Sequence, residues 1–465
     1  MIDRISTGNA RLDQVTGGGL PSNAINLVMG LPGTGKTLLA QQCVFSNADP
    51  QRPALYLSTA SEPFEKILRY VQGLSFFDPA LVGNGVVYDE LGSTLLSHGV
   101  TGVGERVSAF IREYRPGILV IDSFKALSSY ATSSIEFRNF LHELAATQSV
   151  FPVTTLWLGE YEEGEMATAP EFAVADSILE LSSHRFQKRS SRSMQVHKLR
   201  GGDFFSGRHT YGLSREGLEV YPRFTDVGDH HAYLRERERA SSGIQALDDM
   251  LNEGYRVGSS TLMAGPTGIG KTLMGLHFLF GGVRQGDHGV MATFQEDPTQ
   301  LEQVLHGFGW SFNTEGITLK YRPPVEINLD EWVYDILDTL ERTGARRLFI
   351  DSLNDLESVA EDPSRFDESL YSLLHRCSRN NVSVMMSYEV RHLFGVTSLT
   401  DRAASNLADN VVLLQYVPTE SAMYRSVTVL KTRGSTHDLR VRFFEVASRG
   451  IVLTDDPSDP GSTPS

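Results

Sequence analysis

Short apolar runs alternate with stretches of helical spacing along this chain, and the whole alternation occurs twice. In the first half the runs Ala24–Met29, Ala54–Thr59, Ile118–Ile121 and Val153–Leu158 are mostly apolar without a two-residue rhythm, which predicts strands covered on both faces. Between them Leu38–Asn47, Pro63–Val71 and Ser134–Ser149 read as helices; Phe64, Ile67, Leu68 and Val71 fall on one helical face. The second half repeats the order, with strands at Ser260–Ala264, Gly289–Phe294, Leu348–Ile350 and Val382–Tyr388 and helices at Leu273–Gly281, Pro298–His306 and Arg365–Arg379. Late strands at Val411–Tyr416 and Ser426–Lys431 close it. Strands alternating with helices predict an α/β fold, a mostly parallel sheet flanked by helices, in each half.

The repeat has a measurable register. Gly30 and Gly265 are 235 positions apart, as are Lys36 and Lys271. Ser6-Thr7-Gly8 with Leu12-Asp13 matches Ser241-Ser242-Gly243 with Leu247-Asp248 at the same offset. Ile118–Ser123 matches Arg347–Ser352 at an offset of 229, and Lys198-Leu199-Arg200-Gly201 matches Lys431-Thr432-Arg433-Gly434 at 233. A fixed period of this length marks a tandem duplication. It predicts a first domain over 1–223, a polar, charged linker over 224–240, a second domain over 241–454 and a disordered tail over 455–465 rich in Asp, Pro, Ser and Gly. The neighbouring His230 and His231 in the linker read as solvated residues rather than metal ligands, and no other cluster has metal-ligand spacing.

The most specific chemistry lies between the first strand and first helix of each half. Gly30-Leu31-Pro32-Gly33-Thr34-Gly35-Lys36-Thr37 and Gly265-Pro266-Thr267-Gly268-Ile269-Gly270-Lys271-Thr272 both fit the phosphate-binding loop G-x-x-x-x-G-K-[ST] without a gap. Glycines let backbone N–H groups turn inward and approach phosphate oxygens, and the helix that follows offers its positive dipole end. Lys36 and Lys271 are placed to neutralise the β- and γ-phosphates; Thr37 and Thr272 offer hydroxyls to Mg²⁺. The expected cofactors are therefore ATP and Mg²⁺. Asp122, and Asp351 at the matching position, end apolar strands, where a carboxylate holds Mg²⁺ directly or through water. The alternative for such a residue is a buried aspartate capping the next turn.

Composition narrows the partners. The formal net charge is -15, which argues against nonspecific binding to nucleic acid or an anionic membrane. Two cysteines, one in each half, give no disulfide framework, and a reducing cytoplasm is expected. Met1-Ile2-Asp3-Arg4 leads into no long apolar stretch, so neither a signal peptide nor a membrane span is expected.

With these motifs in place, the chain resembles the KaiC family, two-domain ATPases of tandem RecA-like P-loop NTPase modules known from the cyanobacterial circadian clock. The resemblance rests on Ser-Thr-Gly, Leu-Asp and Gly-Gly-Gly-Leu-Pro near the start, both phosphate loops, both Ile-Asp-Ser strand ends and both Lys-x-Arg-Gly segments. Asp409–Tyr416 and Arg433–Asp438 look very like the family as well. The resemblance implies a homohexamer with ATP between subunits, ATP hydrolysis, and self-phosphorylation by the second domain, in signalling through a protein partner. It also implies that Lys198, Arg200, Lys431 and Arg433 reach the γ-phosphate of the adjacent subunit, as an arginine finger does. On that reading these cations are expected to have no partner within their own subunit.

The chain departs from the family where catalysis is expected. The family places a Glu-Glu pair after the second strand of each domain. Here domain two has Gln295-Glu296, leaving Glu296 as the carboxylate to orient the attacking water and a further candidate beside the metal. In domain one the ungapped equivalents are Ala60-Ser61, and Glu62 stands one residue on, turned to the other face of an extended strand end. Domain one is therefore expected to bind ATP and hydrolyse it poorly, unless a loop shift returns Glu62. The family's neighbouring Ser-Thr acceptors become Ser405-Asn406, which keeps Ser405 as a candidate phosphosite, with Thr400 nearby. Two other classes remain: a DNA-acting RecA-type recombinase or helicase, against which the acidic charge counts, and a non-hydrolysing scaffold held together by ATP.

Overall fold

The apolar runs form the centres of two sheets. The computed structural model describes residues 3–59, 64–186, 189–223, 238–313, 316–323, 327–360, 363–390, 404–419, 422–448 and 450–455. The chain divides into two compact units, Met1–Arg223 and Phe224–Ser465.

In unit one the described strands make a nine-stranded sheet in the order Gly217–Tyr221, Arg208–Ser214, Arg189–Leu199, Ser177–Phe186, Ile25–Met29, Thr154–Gly159, Ile118–Asp122, Ala54–Ser58, Val86–Glu90. The pairs from Ser177–Phe186 through to Val86–Glu90 are parallel, and the rest are antiparallel. Unit two repeats this order with Gly450–Thr454, Arg442–Ala447, Met423–Thr432, Asn410–Pro418, Ser260–Gly265, Ser383–Glu389, Arg347–Asp351, Gly289–Thr293 and Ile317–Tyr321. Both are mostly parallel α/β sheets of the tandem RecA-like type.

Helices cover both faces because successive strand residues point to opposite sides. In unit one Leu27, Met29, Leu55, Leu57, Leu119 and Ile121 pack under the helices Gly92–Tyr114 and Ser134–Val150. Val28, Tyr56, Val120, Leu156 and Leu158 pack under the helix Lys36–Ser46, which emerges from the phosphate loop. Unit two divides in the same way: Leu262, Ala292 and Ile350 go to one core, and Met263, Met291 and Phe349 to the other, under the helix Lys271–Val283. Side chains at the end of Ile118–Asp122 or Arg347–Asp351 thus meet the helix that begins at the loop.

The Ser/Thr-Gly…Leu-Asp repeat has a structural use in both units. Asp13 accepts from Ser6 Oγ at 2.6 Å, Thr7 Oγ1 at 2.6 Å and Thr7 N at 2.8 Å. Asp248 takes Ser241 Oγ and Ser242 N in the same way.

The structure adds elements that apolar runs do not signal. Gly92–Tyr114 is helical although it carries four glycines, and it kinks at Gly99, whose φ is 60°. The antiparallel strands Arg189–Leu199 and Arg208–Ser214 are polar along much of their length, as befits sheet margins with solvent on one side. The His230 and His231 positions, and all of the tail beyond Asp455, lie outside the described residues.

Candidate functional site

The two loops fold alike. Gly35 and Gly270 cap the following helices with φ of 95° and 117°, a left-handed conformation that side chains disfavour. At Gly33 a Cβ would meet no atom within 4 Å, so the tip of that loop faces open space. Lys36 is buried, and its Nζ donates to the Gly30 carbonyl at 2.9 Å and the Leu31 carbonyl at 3.1 Å. Lys271 does the same to Gly265 and Pro266, both at 2.9 Å. Burial pulls the pKa of both lysines down; Glu160 and Asp122 oppose this at Lys36, and Glu389 and Asp351 at Lys271. In unit one the loop borders a cleft of about 820 Å³ lined by Lys36, Thr37 and Asp122 and walled by Ile67, Val71 and Leu213. That is ample for a nucleotide-sized ligand.

The strand-end aspartates meet the loop threonines as their spacing suggests. Thr37 Oγ1 donates to Asp122 Oδ2 at 2.9 Å, and Thr272 Oγ1 to Asp351 Oδ2 at 2.7 Å. A hydroxyl and a carboxylate side by side at the end of a phosphate loop are the hard oxygen donors that Mg²⁺ prefers. The residues present therefore fit both ATP and Mg²⁺. Burial pushes the Asp351 carboxyl up, against the pull of Ser387, Thr272 and Lys271.

Glu296 follows the strand Gly289–Thr293 and is half-buried. Burial raises its carboxyl pKa, and the charge of Asp351 raises it further, so the two acids lie within electrostatic reach. Gln295 is exposed, but its Nε2 donates to Asp355 Oδ1 at 2.5 Å, while Asp355 Oδ2 accepts from Ser352 Oγ at 2.5 Å. The unit-one equivalents Ala60 and Ser61, and the alternative Glu62, lie outside the described residues. Ser405 belongs to the short helix Ala404–Leu407, but its hydroxyl, like Thr400, lies outside them too.

The Lys-x-Arg cations sit at the end of the sheet away from their own phosphate loop. The Arg200 and Arg433 backbones bond to Asp176 and Asp409, which in turn bond to Ile25 and Ser260 at the start of the strands that carry the loops. The loops begin five residues further along, roughly 16 Å away at the rise of an extended strand. The expectation that these cations have no partner in their own subunit is not met. Arg200 pairs with Asp176 at 3.0 Å and Arg433 with Asp409 at 3.5 Å, while Lys198 donates to the Phe172 and Ala173 carbonyls and Lys431 to the Ala408 carbonyl. Both arginines remain more than half exposed, so these are surface pairs of small worth, easily exchanged for another anion.

A family model described as "ATPase: KaiC" matches residues 5–224 and again 240–458. The chain belongs to the KaiC family of ATPases. ATP binding and ATPase activity come with this KaiC membership. Among its relatives is the circadian clock protein KaiC3 of Synechocystis sp., 27% identical over 97% of this chain and 92% of that protein. The circadian clock oscillator protein KaiC of Picosynechococcus sp. is 26% identical over 98% and 90%, and that of Synechococcus elongatus 25% over 98% and 89%.

Within this KaiC-family site several residues go beyond the motifs. Tyr56 and Ser387 each give a hydroxyl to a strand-end aspartate. Lys125 borders the unit-one cleft; its Nζ reaches the Glu160 carbonyl at 2.7 Å and pairs with Glu165 at 2.8 Å. Asn354, its match at the 229 offset, holds the corresponding Glu389 backbone, accepting from its N–H at 2.7 Å. That shared offset is the signal that finds this pair. Among the described residues no group of acidic, His and Cys side chains forms a separate metal site, and no helix is long and apolar enough to cross a membrane.

Proposed function

We propose that the chain is the subunit of a nucleotide-dependent homohexamer in which unit two hydrolyses ATP and unit one chiefly binds it to hold the ring. One observation carries the division of labour: Glu296, half-buried and drawn up in pKa beside Asp351, while the matching unit-one positions are Ala60 and Ser61. In unit two, Lys271 and the loop N–H groups would hold the phosphates, and Thr272 and Asp351 would hold Mg²⁺, which when bound would neutralise phosphate charge. Glu296 orients the attacking water and accepts its proton. Lys36, Thr37 and Asp122 hold the nucleotide in unit one.

The cation pairs close the site from a neighbouring subunit. Lys431 and Arg433 lie at the far end of their sheet from their own loop, so the phosphates they can serve are another chain's; Lys198 and Arg200 do the same in unit one. A cation arriving in trans stabilises charge on the transferring phosphoryl group. Ser405 is the proposed acceptor for self-phosphorylation, and nucleotide state is the signal read by a protein partner. Cys43 and Cys377 are free, with burial pushing both thiols up to about 12, which suits a cytoplasmic protein.

Size-exclusion chromatography with light scattering, with and without ATP and Mg²⁺, tests the assembly. A hexamer that forms only with nucleotide is expected; a monomer under both conditions would sink the proposal. A hexamer without turnover would point instead to an ATP-held scaffold.

A further inference from the structure

The carboxylate ending each central strand takes a threonine hydroxyl from the loop helix, and Thr37 and Thr272 match across the repeat. A second hydroxyl reaches each carboxylate, and these two do not match. In unit one it is Tyr56 on the strand Ala54–Ser58, whose OH donates to Asp122 Oδ2 at 2.7 Å. In unit two it is Ser387 on the strand Ser383–Glu389, donating to Asp351 Oδ1. These strands flank the aspartate strand on opposite sides.

The ladder registers define the exchange. Tyr56 lies beside Val120 as Met291 lies beside Phe349, so Met291 holds the Tyr56 position in unit two. Leu158 lies beside Val28 as Ser387 lies beside Met263, so Leu158 holds the Ser387 position in unit one. Met291 and Leu158 are fully buried and carry no hydroxyl. Each sheet keeps one of the two hydroxyls and lacks the other.

We propose that Tyr56 is the positioning residue for the Asp122 carboxylate, doing from one side of the strand what Ser387 does for Asp351 from the other. Side-chain length fits the two places. Leu158 is directly beside Asp122 in the ladder, and a side chain as short as serine suffices at that level. Tyr56 starts level with Val120, two residues or about 6.6 Å short of the aspartate, and the ring spans the gap. The ring is itself fixed. It is fully buried against Tyr88, with centroids 5.5 Å apart, and Tyr88 OH donates to Gln41 Oε1 at 2.7 Å on the loop helix. Thr37 and Tyr56 reach the same carboxylate oxygen from two different elements, and two donors hold it more firmly than one.

The inference rests on the reading of unit one as an Mg²⁺-ATP site, and its test keeps the two apart. In the full-length chain carrying Lys271→Ala, binding of a fluorescent ATP analogue is titrated with Mg²⁺ and with EDTA. Tyr56→Phe removes one oxygen and keeps the ring. Affinity with Mg²⁺ is expected to fall about tenfold, the scale of one hydrogen bond to a charged group, with affinity in EDTA unchanged. Adding Leu158→Thr to Tyr56→Phe supplies a hydroxyl from the other flank and is expected to restore the Mg²⁺ dependence. Ser387→Ala in a Lys36→Ala chain, which needs no core rebuilding, is expected to show the same selective loss at unit two. Equal losses with Mg²⁺ and EDTA, or an unchanged Mg²⁺ dependence in Tyr56→Phe, would overturn the positioning role. Failure of the Lys271→Ala parent to bind the analogue would overturn the reading of unit one, and this inference with it.

Discussion

Glu296→Gln exchanges one carboxylate oxygen for an amide at nearly constant shape, so its effects report the charge and basicity of that side chain. Two causes raise the carboxyl pKa: burial first, then the charge of Asp351. Both make the ionised group a stronger base than a solvated glutamate, which moves it toward the pKa at which general-base catalysis is most effective. Loss of a positioned base costs about 10²–10⁴ in rate, so steady-state phosphate release should fall at least about a hundredfold, to the floor set by unit one. ATP binding should be intact and the hexamer should persist in its ATP-bound form. In the wild type, activity should drop as pH falls through the raised pKa, because the base is then protonated; that acid limb should vanish from the residual rate of the variant. Stability runs the other way. A carboxyl whose folded pKa exceeds the unfolded value of about 4.3 contributes stability that is fully present below that value and is lost as pH rises through the folded pKa. The nucleotide-free variant should therefore melt higher than wild type near pH 7, and the difference should close below about pH 4. Near wild-type turnover with the acid limb retained would refute the assignment of Glu296, and a large loss in Glu62→Gln would move the active half to unit one.

Gln295→Glu restores the acidic pair of the family on paper, but Gln295 donates to Asp355, so the change should lower turnover by placing like charges together; increased phosphate release would contradict this. Lys271→Ala should remove most turnover, whereas Lys36→Ala should chiefly weaken ATP-dependent assembly; lost hydrolysis with intact assembly in Lys36→Ala would reverse the two roles. Arg347, fully buried, donates to Asp287, Gln285 and the carbonyls of Ser241 and Phe278. Arg347→Leu should destabilise unit two by about 3–5 kcal/mol in denaturant unfolding, because the change strands polar groups arranged around a cation.

The phosphate loops, their strands and helices, and the duplication were legible because each rests on local pattern or fixed offset. Tyr56 was not, since a tyrosine in an apolar run looks like core, and its reach to Asp122 depends on ladder register. Ser387 escaped notice for the same reason. The antiparallel halves of the sheets gave weak signals because a strand such as Arg189–Leu199 is half-wetted and carries few apolar residues. The Lys-x-Arg repeats were legible as repeats, but their pairing with Asp176 and Asp409 was not, since it needs the neighbouring strand to be known. Gln295 read as a lost carboxylate; only the fold shows that its amide has a partner.

Loop and cation pair lie at opposite ends of one sheet, and this separates inheritance from activity. In the proposed head-to-tail ring every site is shared by two chains, so two inactive alleles can complement. A cell expressing Lys271→Ala and Arg433→Ala chains in equal amounts builds about one intact unit-two site in four, where a loop from one allele meets a cation from the other. Either allele alone builds none. In the proposed ring each defective chain removes one site, a Lys271→Ala chain its own and an Arg433→Ala chain that of a neighbour whose own sequence is unaltered.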